Sequence, residues 1–139
     1  MLASETFLRL IYLIFNYAYL LTYPVVSNDW KIAGAGDFNG DGKADILWRN
    51  DDGRVNIWLM DGANVLAAGP VSTYPTVDNS WKISGTGDFN GDGKADILWR
   101  NTNGSNSVWE MNGANVTTAS LTNPYPIIDN TWKIAAPIL

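Results

Sequence analysis

The chain has 139 residues, 46% of them apolar, with no cysteine, no histidine and a formal charge of −5. Without those two residue types it holds no disulfide, and a Ser-His-Asp hydrolase or a histidine-ligated zinc site is excluded. The nine Lys and Arg are spread without a basic stripe, which argues against nucleic acid as a partner.

Residues 1–22 stand apart from the rest. Leu10 to Val26 (LIYLIFNYAYLLTYPVV) is mostly apolar but interrupted by Asn16, Thr22 and Pro24, and its unbroken core is shorter than the roughly 18 to 20 residues that span a bilayer. Glu5 offsets Arg9, and the best cleavage site, after Ser27, is a poor one. Three readings stay open: a divergent partial repeat, a secretion signal or anchor, and an interfacial segment. Residues 10–26 are the stretch through which any membrane association is expected.

From Tyr23 onward the chain keeps a register. Trp30, Trp81 and Trp132 each open a Trp-Lys-Ile triplet at 51-residue intervals, and Tyr23-Pro24, Tyr74-Pro75 and Tyr125-Pro126 recur at the same spacing. This register divides the chain into the tail of a preceding repeat at 23–29, full repeats at 30–80 and 81–131, and the first strand of a further repeat at 132–139. Periods of about 40 to 50 residues mark four-stranded propeller blades, which stack because one unit cannot bury its own apolar face.

Within the first unit, Trp30 to Gly36 reads as a glycine-rich inner strand, where glycine permits close backbone approach. Ala44 to Asn50 and Val55 to Met60 read as the second and third strands. Asp52-Gly53 between them, matched by Asn103-Gly104, is a hairpin signal and predicts a type I′ turn. Asp61-Gly62 and Asn112-Gly113 turn again into a weaker fourth strand from Asn64 to about Gly69. The fold class is therefore all-β, with two full blade-like units of four short antiparallel strands and partial units at both ends.

Between the first and second strands of each unit lies the nonapeptide Asp-Phe-Asn-Gly-Asp-Gly-Lys-Ala-Asp, unchanged at Asp37 to Asp45 and Asp88 to Asp96. Side-chain oxygens of Asp37, Asn39, Asp41 and Asp45 with the carbonyl of Lys43, and in the second copy Asp88, Asn90, Asp92 and Asp96 with the carbonyl of Lys94, suit a hard cation that takes six to eight oxygens. Two Ca²⁺ sites are expected, and two bound ions would bring the formal charge to −1. Gly42 and Gly93 sit where such a loop bends sharply. An EF-hand does not fit, because Trp48 or Trp99 stands where its bidentate Glu is required and the flanks read as strand. A solvated Asn/Asp/Gly turn would need neither three carboxylates on one small loop nor the same nine residues twice.

The run DFNGDGKADILWRN resembles the repeat of FG-GAP-like and VCBS-type proteins, whose calcium loops are similar to those on integrin α-subunit propellers. The likeness covers Tyr23 to about Ile134. It implies calcium-stabilised propeller blades, in assemblies of about seven, in secreted or cell-surface proteins.

Function is expected to be binding or scaffolding, not catalysis. Glu110 is the only Glu of the repeats and its counterpart is Leu59, so no repeated acid–base pair exists. The tryptophans, Trp30, Trp48, Trp58, Trp81, Trp99, Trp109 and Trp132, are expected to fill space between units rather than to stack on sugars. Lys31, Arg49, Lys82 and Arg100 are expected to brace loops or face solvent. A lectin is the alternative, with Asp51, Arg54 and Asn56, or Thr102, Ser105 and Ser107, joined to Trp58 or Trp109; a non-catalytic part of a larger secreted enzyme or adhesin is another. The partner is a protein or glycan, and homo-oligomerisation by strand exchange between the two ends is expected.

Overall fold

The computed structural model describes residues 25–135. The expectations for residues 1–22, and for the end of the 132–139 segment, lie outside that range. Two four-stranded antiparallel sheets make up the fold, in simple meander order. The first contains β1 (Trp30–Gly36), β2 (Asp45–Asn50), β3 (Val55–Asp61) and β4 (Asn64–Pro70). The second contains β5 (Trp81–Gly87), β6 (Asp96–Asn101), β7 (Asn106–Asn112) and β8 (Asn115–Leu121). No helix forms among the described residues.

The two sheets share one register. Trp30 pairs with Asn50 and Gly36 with Asp45, just as Trp81 pairs with Asn101 and Gly87 with Asp96. Irregularities fall at matched places, between Ile32 and Gly34 and between Ile83 and Gly85. The central strands of each sheet are the buried ones, because both their edges are paired and their apolar residues meet neighbours on both sides.

The core lies between the sheets. Leu47, Val55 and Ile57 of the first pack with Ile97, Trp99, Trp109 and Met111 of the second, together with Phe38, Val71 and Ala95 from the connections. Close approach at the inner strands needs glycine: a Cβ on Gly36 would lie 2.7 Å from that of Ala95. The Thr86 hydroxyl donates to Ala35 O at 2.7 Å across the same seam. Arg49 staples the units on the other side, its guanidinium donating to Val77 O, Asp78 O and Trp81 O while it lies 5.0 Å from the centre of the Trp99 ring. Arg49 and Arg100 are thus loop-bracing residues, as their position suggests. Burial pulls Arg49 below its usual pKa, against the opposing pull of Asp52 and Asp78.

One sequence expectation needs correction. The β2–β3 hairpin does not form a type I′ turn, since only Gly53 has positive φ, at 99°, and Asp52 does not. Asn50 O instead accepts from Gly53 N at 2.9 Å and Arg54 O accepts from Asn50 N at 2.9 Å, the three-residue loop in which a type I turn is followed by a left-handed glycine. Val77 O would lie 2.4 Å from a Cβ at Gly53, so the connector leaves no room for a side chain there. Trp132 is 71% exposed and no strand is formed at 132–135, the remainder of the 132–139 segment lying outside the described residues. Among the described residues that stretch has no second strand to pair with.

The other tryptophans follow their neighbours. Trp99 and Trp109 are buried between the sheets, with ring centres 4.9 Å apart, and Tyr74 covers Trp109 at 5.2 Å. Trp48 and Trp58 form the matching pair on the outer side of the first sheet, 5.0 Å apart. Trp48 is 9% exposed and Trp58 half-buried.

Candidate metal centre

Each acidic loop leaves the end of an inner strand and returns as the second strand, so the two loops lie at the same edge of their sheets. Asp37 organises the first: its Oδ1 accepts from Gly40 N at 2.7 Å and Asp41 N at 3.0 Å, and its Oδ2 from Gly42 N at 2.7 Å. Asp88 accepts from Gly91, Asp92 and Gly93 at 2.7, 3.0 and 2.8 Å. These amides, Gly93 foremost, hold the Asp88 carboxyl below the usual range against the opposing effect of desolvation. Asp41 and Asp92 each accept from the amide two residues on, Lys43 N and Lys94 N, at 2.9 Å. Asn39 Oδ1 and Asn90 Oδ1 accept from Asp41 N at 3.2 Å and Asp92 N at 3.1 Å. Gly42 and Gly93 turn with φ of 88° and 87°.

Asp45 and Asp96 do something the sequence did not disclose. Each is buried, with 1% and 0% exposure, and joins its loop to the third strand of its own sheet. Asp45 accepts from Phe38 N and Met60 N, both at 2.9 Å, and Asp96 from Phe89 N and Met111 N at the same distance. Burial pushes the Asp96 carboxyl up, against the pull of the Met111 and Phe89 amides and with a further push from Asp92.

The donor chemistry fits a hard cation: each loop offers three carboxylates, an amide oxygen and the Lys43 or Lys94 carbonyl, with no sulfur or imidazole. As they stand, those side chains are turned on backbone amides, and among the described residues no three acidic groups converge into a metal-holding set. A carboxylate has about four acceptor positions, so the amide bonds leave oxygen capacity in both loops. The surroundings of the two loops differ. Lys43 Nζ lies 3.7 Å from Asp61 in the first, whereas Asn112 replaces that acid in the second, where Glu110 accepts from Asn90 Nδ2 at 3.2 Å.

The residues considered for a sugar site do not form one surface. Asp51 lies 3.6 Å from Lys31, Arg54 bonds Asp52 and covers Trp30 at 5.0 Å, and the buried Ser107 donates to Ser120 O. Asn56, by contrast, borders a cavity of about 340 Å³ with Trp30, Trp48 and Trp58. Ser105 faces the connector through a bridge to Ile127.

Residues 37–99 match the FG-GAP-like repeat family, from the first acidic loop to the second strand of the following unit. No curated protein and no solved structure matches the chain.

Proposed function

We propose that this FG-GAP-like repeat protein is a calcium-binding extracellular module with a structural and adhesive role. FG-GAP-like repeats typically occur in extracellular or cell-surface proteins and serve in binding. The observation that carries the calcium reading is the pair of all-oxygen loops, identical in sequence and matched in hydrogen bonding to about 0.1 Å. Asp37, Asn39, Asp41, Asp45 and the Lys43 carbonyl would hold one ion, and Asp88, Asn90, Asp92, Asp96 and the Lys94 carbonyl the other. The ion would supply positive charge where clustered carboxylates otherwise repel one another.

Calorimetric titration tests the reading. The chain should take up two Ca²⁺ with affinities on the order of 10⁻⁴ to 10⁻³ M, the range of extracellular modules. Mg²⁺ should compete poorly, because it demands a tighter octahedral shell. Absence of saturable calcium uptake would remove the assignment.

The ligand is a protein or a glycan. A glycan reading rests on the cavity beside Asn56, and a glycan array with Trp58→Phe checks it: lost binding with unchanged folding supports a lectin. The reading assigns no catalytic role.

The proposed assembly of several copies draws support from the face beyond the second sheet, where Leu121, Tyr125, Ile127 and Trp132 are 55%, 72%, 63% and 71% exposed. Sedimentation of the full chain at micromolar concentration should show a mass above the monomer that Tyr125→Ser reduces. A monodisperse monomer would rule association out.

A further inference from the structure

The edge of the sheets opposite the acidic loops carries the opposite charge. One lysine follows the tryptophan that opens each unit, Lys31, Lys82 and Lys133, and the first two pair across their sheets with Arg49 and Arg100. Strands of seven residues put them about 20 Å from the loops. A groove runs at each junction along this edge. The first, about 520 Å³, is bordered by Lys31, Arg49, Asp51, Asn79 and Lys82. The second, about 490 Å³, is bordered by Lys82, Ser84, Arg100, Thr102, Asn130 and Lys133. They are the same groove one repeat apart.

One substitution sets them apart. In the first, Asp51 sits 3.6 Å from Lys31 and pairs with it. In the second the matching residue is Thr102, and among the described residues the Lys82 side chain makes no hydrogen bond or ion pair, with Asp78 acting on it only electrostatically. Lys133 donates to Asn130 O, a neutral acceptor. Arg100 donates only to neutral oxygens, those of Gly104, Asn106, Ile128, Asp129, Asn130 and Trp132, with the backbone carbonyl serving at Asp129. Its charge is therefore fixed in place with no carboxylate bonded to it directly. Asp78 acts electrostatically on Lys82 and Arg49, and Asp129 on Lys133 and Arg100. Both carboxylates are also held in their connectors by Ser80 N and Thr131 N, at 2.8 Å each. Neither borders the second groove, so three cations border it with no carboxylate among the lining residues.

We propose that this second groove binds a tetrahedral oxyanion, sulfate or phosphate, free or as the ester of a small molecule. Lys82, Lys133 and the Thr102 hydroxyl donate to it, and Arg100 contributes a fixed positive charge. A groove of this volume lies within the ordinary range of small-ligand sites, so it admits a carrier beyond the ion itself. Asn130, Ser84 and Asn101 supply the neutral polar lining such a carrier would meet. The inference does not depend on calcium.

The first unit provides the control. Thr102→Asp installs the residue that the first unit already tolerates at the same backbone position, where Asn79 and Asn130 donate to the carbonyls of Asp51 and Thr102. The full chain is titrated without calcium, at constant ionic strength, with inorganic sulfate and separately with inorganic phosphate, followed by calorimetry and by the lysine NMR signals. Saturable uptake of one ion, shifting Lys82 and Lys133, is expected from either anion. Thr102→Asp should weaken it by about tenfold or more, the effect of one added negative charge at close range, with an unchanged melting temperature. Asp51→Thr should create a second site. Uptake that does not saturate, or equal affinity in Thr102→Asp, would show screened surface charge only and overturn the proposal.

Discussion

Phe38 and Phe89 occupy the same place in two identical nonapeptides, yet one is fully buried and the other 52% exposed. The difference lies in the packing around each loop. The second unit closes over the first loop, with Ala95 N donating to Asp37 O and Gly113 N to Phe38 O, both at 2.7 Å. Phe38→Ala should therefore cost about 3 to 5 kcal/mol and Phe89→Ala less than about 1 kcal/mol, read from urea unfolding; equal losses would contradict the packing. Asp45 carries a second prediction at this scale. Its removal strands two amides, Phe38 N and Met60 N, at about 1 to 3 kcal/mol each. Asp45→Ala should destabilise the chain even in chelator, whereas Asp41→Ala should be nearly silent there. The sequence groups these two aspartates as equivalent ligands. Nothing in their spacing reveals that Asp45 reaches an amide fifteen residues on, because that contact exists only once the third strand has folded back beside the loop.

The elements themselves were mostly legible. Trp30–Gly36 forms as read, and the other three strands of the first unit lie within about one residue of expectation, since alternation and Gly-Asn-Asp punctuation act locally. The turn type was not legible, because the connector that crosses Gly53 decides it and belongs to the far end of the unit. Those connectors carry a pH dependence. Hydrogen bonds from Ser80 hold Asp78 below the usual carboxylate range, helped by Arg49 and Lys82, and hydrogen bonds from Thr131 do the same for Asp129, helped by Lys133 and Arg100. A carboxyl with a lowered folded pKa adds stability that is complete above its unfolded value, near 4, and is lost as pH falls through the folded one. Stability should thus fall with acidification below about pH 4, and less steeply in Asp78→Asn/Asp129→Asn. Parallel pH profiles of the two proteins by thermal melting would contradict this.

At the scale of the molecule, the two sheets share one core and each completes what the other leaves open: Tyr74 covers Trp109, Arg49 lies over Trp99, and Gly36 makes way for Ala95. The 51-residue period disclosed this stacking, while the unequal fates of Trp58 and Trp109, or Phe38 and Phe89, follow from neighbours rather than from the repeat itself. Opposite edges carry the acidic loops and a lysine row. The proposed calcium sites lie at the acidic-loop edge. At ~1 mM calcium, mass action over sites of the expected affinity adds roughly 0.4 to 1.4 kcal/mol each, which for two sites raises the melting temperature by about 3 to 10 °C. The direct measurement is thermal unfolding of the full chain in ~1 mM calcium and in excess chelator, beside Asp41→Ala/Asp92→Ala. A calcium-dependent rise in the parent that disappears in the double variant is the predicted result, and an equal response in both proteins, or none in the parent, would contradict it.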